Sequence, residues 1–328
     1  MTWLAWRQTR AQAVITLAAV LAVTAAAFAA GRADTIVRLW LSVLGVVLPG
    51  LLGAFWGAPL VAAELESGSF RLAWTQDVSR LRWLAGRLAV TGLASMAAAG
   101  LLSWVVTWWA GPLDRDGLDQ FGSFDSRDIV PAGYAAFAFA AGVLLGALVR
   151  RTVPAMAATL AGFTAARVAF RLLARPVLLP KVTAARALDP ATTGYGSSGF
   201  LPLAPSPGLQ PAAPDLPNAW VTSIGIVNGK GDGLTGSVLT ANCPDIGHGG
   251  GGGIVNPLAN GSSHVPASQG VADTMHDCVA RIAATYHEVV TYQPASRYWP
   301  LQWAELGVFL AAALLFAAAC AWRVRGIG

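Results

Sequence analysis

The sequence predicts an all-α polytopic membrane protein with six transmembrane helices and a large, partly irregular external domain between helices 5 and 6. Three observations support this fold class. Of the 328 residues, 55% are hydrophobic and only 12% are charged, whereas about 25% are charged in an ordinary globular chain. Six apolar runs approach or reach the roughly 20 residues that a helix needs to cross a bilayer. The polar residues are concentrated in residues 174–299, a segment too polar to cross.

The N-terminal region combines an interfacial segment with the first two spans. Residues 1–12 place tryptophans beside Arg7 and Arg10, which is typical of a cytoplasmic helix lying in the membrane interface. The apolar runs 13–30 and 36–63 are the first and second spans. Prolines and glycines interrupt the second run, so we expect a kink in that helix.

Four further apolar runs complete the transmembrane region. They cover residues 88–109, 131–149, 153–173 and 301–322. Residues 13–173 therefore hold transmembrane helices 1–5, residues 174–299 form the external domain, and residues 300–328 hold helix 6 and a short cytoplasmic tail. Inside the external domain we predict a strand at 219–227, a helix at 271–290 and loops at 197–217 and 247–253.

The basic residues predict the orientation. With the N-terminus inside, ten Lys and Arg face the cytoplasm and four lie in short external loops, which follows the positive-inside tendency of membrane proteins. Both termini are therefore predicted in the cytoplasm and the protein in the plasma membrane. Residues 177–298 carry five basic and seven acidic residues, so the overall charge of +5 comes from the rest of the chain. This pattern indicates membrane-flanking arginines rather than a nucleic-acid-binding surface.

The polar segment 62–87, between the second and third spans, contains a series of short motifs. In order, these are two acids ending a helix, a Gly-Ser pair, an apolar turn, a Ser-Arg pair and a Gly-Arg pair: Glu64 and Glu66, Gly68-Ser69, Phe70 to Trp74, Ser79-Arg80, and Gly86-Arg87. This order resembles the loop between the second and third spans of ABC-2-type transporter permeases. The sequences FWGAP at 55–59 and PASRYWPLQWAEL at 294–306 are similar to the actinobacterial branch of that family.

The resemblance implies a function and partners. In that family the loop docks on a separate ABC ATPase subunit, so the chain would be the membrane-spanning permease subunit of an exporter. It would form a homodimer or a heterodimer in the lipid bilayer and would not be an enzyme. The resemblance assigns ATPase coupling to Glu64, Glu66, Gly68, Phe70, Arg71, Trp74 and Arg80. ATP and Mg²⁺ would be bound by the partner, with no cofactor on this chain.

No nucleotide or metal motif is complete in this sequence. Residues 225–231 (GIVNGKG) are one residue short of a phosphate-binding loop and lack its hydroxyl residue. HEVVT at 287–291 lacks the second histidine of a zinc protease helix. The acidic segment 111–130 lacks the glycine and closing glutamate of a calcium loop, so we expect a solvated loop there and no metal site.

Arg167, Arg171 and Arg175 recur every four residues near the outer end of the fifth span, so they are predicted to share a helix face. Charges at membrane depth tend to face a cavity or a partner, and one interpretation is therefore a basic face that contacts an anionic substrate or a lipid headgroup. The other is that the side chains extend to the outer headgroups. Within the spans the sequence suggests no inward-facing pair of acids, which argues against a membrane-embedded enzyme.

Two questions stay open in the external domain. Cys243 and Cys278 lie there, and oxidising conditions outside the cell would permit a disulfide between them. The alternative function is a membrane-anchored external sensor or binding protein without transport activity.

Overall fold

The computed structural model describes residues 18–19, 21–26, 29, 35–67, 80–115, 120–190, 193–198, 206–210, 216–243 and 269–325. In chain order the helices are α1 (Thr35–Leu52), α2 (Ala58–Ser67), α3 (Arg80–Arg115), α4 (Val130–Val149), α5 (Thr152–Ala169), α6 (Arg175–Leu178), α7 (Gly236–Asn242), α8 (Gln269–Ala283) and α9 (Tyr298–Arg325). The strands are β1 (Val182–Ala187), β2 (Gly194–Ser198), β3 (Ser206–Gln210), β4 (Trp220–Asn228) and β5 (Tyr286–Gln293).

The chain divides into two compact units. We call Met1–Pro180 together with Ser296–Gly328 the helical unit, and Lys181–Ala295 the inserted unit. These bounds differ by a few residues from the predicted external domain at 174–299, because α6 continues the fifth span to Leu178. Each unit has a hydrophobic core of its own.

Five segments of the described helical unit are long and apolar enough to cross a membrane. They are Leu39–Glu66, Leu88–Gly111, Val130–Val149, Thr152–Leu178 and Ala295–Arg323. They correspond to the predicted second to sixth spans. The predicted first span, 13–30, falls largely outside the described residues, although positions 18–19, 21–26 and 29 are helical. The predicted interfacial helix at 1–12 lies wholly outside them.

Helix α4 lies at the centre of the helical unit. Of its most apolar stretch, 67% is buried, compared with 17% for the span Thr152–Leu178. Glycines allow the second span to approach it: a Cβ added to Gly142 would lie 2.3 Å from the carbonyl oxygen of Gly53, and one added to Gly53 would lie 2.5 Å from the backbone of Ala138. Only glycine fits these two positions. Small residues of this kind allow the backbones of membrane helices to approach each other closely.

A turn of π-helix interrupts two of the spans, and each turn is followed by a proline. Gly53–Gly57 joins α1 to α2 ahead of Pro59, and Phe170–Ala174 joins α5 to α6 ahead of Pro176. In an α-helix the proline ring collides with the carbonyl four residues earlier. A π-turn widens the helix by one residue and relieves this collision. The predicted distortion of the second span therefore takes the form of a π-turn, and the same device occurs in the fifth.

The segment between α3 and α4 is not the solvated loop that the sequence predicted. Helix α3 continues to Arg115, and a 3₁₀ turn at Phe124–Ser126 follows in the described part of the segment. Phe124, Asp125 and Arg127 are all buried. The Phe124 ring lies 5.3 Å from the ring of Tyr298 in an aromatic cluster, and this apolar anchor draws the flanking polar residues inward.

The inserted unit contains two antiparallel sheets, so the chain as a whole is not all-α. One sheet has the order β1-β5-β4, and the other pairs β2 with β3. Strands β1 and β5, which begin and end the unit, are direct neighbours, with Val182 opposite Tyr292 and Ala187 opposite His287. The apolar core includes Ile226, Val279 and Ile282.

The predicted elements of this unit agree with the structure in part. The strand predicted at 219–227 is β4. The helix predicted at 271–290 is α8, but it ends at Ala283 and the chain continues as β5, because aromatic and β-branched residues such as Tyr292, Val289 and Val290 favour a strand. Within the predicted loop 197–217, residues 206–210 form β3. The predicted loop 247–253 lies outside the described residues.

Candidate functional site

The residues predicted to couple the chain to an ATPase lie at the end of α2 and beyond it. Glu64 is half-buried and Glu66 is exposed, both in the last two turns of α2, and Arg80 begins α3. The remaining predicted coupling residues, Gly68, Phe70, Arg71 and Trp74, lie outside the described residues.

Glu66 caps the N-terminus of helix α5. Its Oε2 accepts hydrogen bonds from the backbone N–H of Thr152 at 2.8 Å and from the Thr152 hydroxyl at 2.7 Å. The first backbone N–H groups of a helix have no partner within the helix, and the helix dipole favours a negative charge there. The end of the second span is thereby joined to the start of the fifth.

At the opposite end of the fifth span lies a group of charged and aromatic side chains that we call the arginine cluster. It consists of Asp125, Tyr134, Arg167, Arg171, Arg175 and Glu305. The segment between α3 and α4, helix α4, the fifth span and helix α9 all contribute to it. The cluster therefore connects four parts of the helical unit that are distant in sequence.

Arg175 is the most fully paired of the three arginines. Its Nε donates to Glu305 Oε2 at 3.0 Å and its Nη2 donates to Glu305 Oε1 at 2.9 Å. Nη2 also donates to Asp125 Oδ1, and the guanidinium carbon lies 4.6 Å from the centre of the Phe124 ring. Its side chain is only 7% exposed. Arg175 thus points into the protein, unlike the predicted basic face that contacts lipid or substrate.

Tyr134 connects the two carboxylates of the cluster. Its hydroxyl donates to Glu305 Oε1 and lies 3.3 Å from Asp125 Oδ1. The ring of Tyr134 also supports Arg167, whose guanidinium carbon lies 3.5 Å from the ring centre. A guanidinium in this position is attracted by the ring electrons, so Tyr134 contributes both its hydroxyl and its ring face.

Arg167 and Arg171 make weaker contacts with the acids. Nη2 of Arg167 lies 3.4 Å from Asp125 Oδ1, and Nη1 of Arg171 lies 3.4 Å from Asp125 Oδ2. The side chain of Arg171 is 67% exposed, whereas that of Arg167 is 11% exposed. Among the three arginines, Arg171 alone is mainly on the surface.

The π-turn at Phe170–Ala174 explains why all three arginines reach Asp125. In an uninterrupted α-helix, Arg175 would be rotated by about 80° from Arg167, because each residue adds about 100°. The π-turn holds one extra residue, so Arg175 takes the direction of the seventh residue after Arg167, about 20° away. The predicted shared face therefore exists, and its alignment depends on the π-turn.

A second polar layer fixes the helices around the cluster. The Gln302 side chain accepts a hydrogen bond from the backbone N–H of Val130 at 3.1 Å and donates to the Tyr298 hydroxyl at 3.1 Å. Tyr298 donates to Asp128, whose backbone carbonyl accepts from Ser103 of α3 at 2.7 Å. These bonds join α3, α4 and α9 next to the arginine cluster.

The charges in the cluster leave a positive excess. Burial on its own would raise the pKa of Asp125, but the guanidiniums of Arg175, Arg167 and Arg171 outweigh burial and hold that pKa below its usual range. Asp125 is therefore ionised at neutral pH. The cluster therefore sets two acidic side chains, Asp125 and Glu305, against three guanidiniums.

The sequence did not reveal the acids of this cluster. Asp125 was one of several aspartates in a polar segment, and Glu305 stood alone at the start of an apolar run. The expectation concerned acids within the spans, and of this pair only Glu305 lies in a span; Asp125 lies in the segment before α4, yet both acids are buried and both contact Tyr134 and Arg175. An acid inside a predicted span is rare enough to suggest a partner, but its partner lies 130 residues away in sequence and no spacing rule identifies it.

In the inserted unit, a disulfide joins Cys243 and Cys278, whose Cα atoms lie 5.3 Å apart. It connects the end of α7 to α8 within the apolar core. Across the described residues, no three His, Cys, Asp or Glu side chains come close enough together to hold a metal ion.

Comparison with known proteins identified one family. A family model described as "ABC-2 membrane transporter related" matches residues 1–175. The matched region includes the segment 62–87, the Glu66–Thr152 contact and all three arginines of the cluster. Neither the search of curated proteins nor the search of solved structures returned a match.

Proposed function

Because the chain belongs to the ABC-2 membrane transporter related family, which matches more than half of its 328 residues, we propose that it is the permease subunit of an ABC exporter. A separate ATPase subunit supplies the energy. The family match carries this proposal, and the five spans of the helical unit support it. The narrower placement in the actinobacterial branch stays a prediction from the motifs at 55–59 and 294–306.

In this proposal the segment 62–87 receives the ATPase on the cytoplasmic face. The Glu66–Thr152 contact supports a route for the movement, because a displacement at the end of α2 also displaces the first turn of α5. Two permease chains, identical or related, would enclose the path of the substrate. ATP and Mg²⁺ would bind to the ATPase alone.

The test compares how much ATPase co-purifies with permease variants at equal membrane expression. We expect the double variant Glu64→Lys and Glu66→Lys, and separately Trp74→Ala, to reduce ATPase recovery, because an anchor residue in an interface contributes about 2 kcal/mol or more. The matched control is Thr152→Val, which removes the hydroxyl that bonds Glu66 but leaves both acids in place.

The variants separate two roles of Glu66. If Glu66 contacts the ATPase, its replacement lowers recovery while Thr152→Val does not. If it acts only by capping α5, recovery is unchanged in both, and ATP hydrolysis by the complex falls in the acid variant and less in Thr152→Val, which keeps the backbone N–H bond to Glu66. Normal recovery and normal hydrolysis in every variant would contradict the proposal and favour the external sensor.

A further inference from the structure

The three arginines of the arginine cluster differ in how many carboxylate and hydrogen-bond contacts they make. Arg175 is held by two carboxylates, whereas Arg171 makes a single 3.4 Å contact with Asp125 and is 67% exposed. Arg167 has a buried nitrogen, Nη1, with no hydrogen-bond partner within the described part of the chain. The nearby Arg127 pairs with Asp128 at 3.2 Å and adds no net charge. The unmatched positive charge therefore resides at Arg167 and Arg171.

Arg171 lies at a depth where lipid phosphates occur. Nineteen residues separate it from Thr152, the start of α5, which corresponds to about 28 Å along a helix. The hydrocarbon core of a bilayer is about 30 Å thick. Because Arg150 and Arg151 mark one membrane boundary, Arg171 reaches the phosphate level of the other leaflet.

The surface next to Arg171 is apolar and exposed. Val168, Leu172 and Leu173 are 51%, 67% and 73% exposed in the described structure. Such side chains interact favourably with acyl chains, whereas a soluble anion gains nothing from them. The ligand that fits this surface carries a negative group and a hydrocarbon tail.

We propose that Arg167 and Arg171 bind the phosphate group of an anionic lipid or lipid-like amphiphile. Guanidinium groups suit this ligand, because their paired N–H donors match the geometry of phosphate oxygens. Asp125 holds both guanidiniums from the protein side, and the phosphate approaches from the lipid side. The proposal depends on the chain spanning a bilayer and not on coupling to an ATPase, so the two can fail independently.

The experiment measures lipid binding by native mass spectrometry of the purified full-length permease in detergent. Dioleoyl phosphatidylglycerol is titrated into the protein, with dioleoyl phosphatidylcholine and inorganic phosphate as separate titrations. The variant is Arg171→Gln, which alters an exposed side chain and should fold normally. The matched control is Arg151→Gln, which removes the same charge at the other membrane boundary.

We expect Arg171→Gln to weaken phosphatidylglycerol binding about fivefold, as for a partly exposed ion pair, and Arg151→Gln to change it less than twofold. Arg171→Lys should lose less affinity than Arg171→Gln, since it keeps the charge but not the paired N–H donors. Equal losses in Arg171→Gln and Arg151→Gln, or equal affinity of the wild type for phosphatidylcholine, would overturn the proposal. Displacement of phosphatidylglycerol by millimolar inorganic phosphate would also overturn it, because the site would then bind a soluble oxyanion.

Discussion

Arg175 is surrounded by groups from two separate parts of the helical unit: Glu305 of α9, and Asp125 and Phe124 of the segment before α4. A buried ion pair gains from attraction but loses the hydration of both charges, so its net contribution to stability is small. Removing one partner is a different matter, because the other charge then stays buried and unpaired. Arg175 therefore sets the arrangement of these elements more than it adds to their stability.

This argument predicts a specific pattern of stabilities. Arg175→Met and Glu305→Leu should each destabilise the protein by about 3–5 kcal/mol. The double variant should lose about 1–3 kcal/mol less than the sum, because it leaves fewer unpaired charges. Thermal unfolding in detergent gives these values, with the exposed Arg171→Gln as a control that changes stability by less than about 0.5 kcal/mol. Additive losses in the double variant would contradict the paired arrangement.

At this scale the sequence predicted the basic side of the cluster but not the acidic side. The spacing of Arg167, Arg171 and Arg175 is local, so a helical repeat predicts it. Asp125 and Glu305 reach the arginines only through tertiary folding, and Asp125 is buried because the neighbouring Phe124 packs among aromatic rings. Because the packing of Phe124 causes the burial of Asp125, no repeat in the spacing of the charged residues predicts that burial.

Among the elements, α4 and the second span approach each other closely at their glycines. The carbonyl of Gly53 lies where a side chain on Gly142 would begin, and the carbonyl of Ala58 lies 2.5 Å from a Cβ added to Gly146. Both contacts involve backbone atoms, which cannot move aside as a flexible side chain can. The spacing of the two helices is thus fixed by glycine.

We predict that Gly142→Ala destabilises the protein by about 1–3 kcal/mol, since an extra carbon in a close-packed interface forces the backbones apart. Gly100 of α3 provides a matched control, because a Cβ there meets nothing within 4 Å. Gly100→Ala should leave stability unchanged or raise it by up to about 1 kcal/mol, as expected inside a helix. Unfolding midpoints of the two variants in the same detergent decide the matter, and equal midpoints would contradict the contact.

The position of a helix could be predicted from the sequence where a long apolar run forms that helix. The predicted second to sixth spans correspond, with shifted bounds, to the five segments that are long and apolar enough to cross a membrane. The prediction was weaker in the inserted unit, where β3 has the sequence SPGLQ, whose Pro and Gly normally indicate a turn. Its pairing with β2 is a tertiary contact, and a single segment does not encode its partner.

In the whole molecule, the inserted unit interrupts the helical unit between the fifth and last spans. Its first and last strands, β1 and β5, are hydrogen-bonded neighbours, so the chain leaves and re-enters the helical unit through a paired stem. A disulfide within the unit is consistent with an oxidising compartment. The external location of residues 174–299 stays a prediction from the sequence.

The orientation can be tested by labelling intact cells with a membrane-impermeant maleimide. We expect Lys230→Cys, on an exposed turn of the inserted unit, to react from outside, and Arg151→Cys to react only after the membrane is permeabilised. The native cysteines can stay in place, because Cys243 and Cys278 are bonded to each other and Cys320 is buried. Labelling of position 151 alone in intact cells would reverse the predicted topology.

The two π-turns also affect how this chain should be aligned with its relatives. Each holds one residue more than an α-helix of the same length, so a relative without the following proline would show a one-residue gap inside a membrane helix. Alignment methods usually place gaps in loops. Moving this gap into a loop would misalign Arg167 or Arg175 with the equivalent residue of the relative. It also follows that deleting one residue from Phe170–Ala174 would convert the turn to α-helix and leave Arg175 about 20° from the direction of Arg167, whereas inserting one α-helical residue there would rotate Arg175 by about 100°.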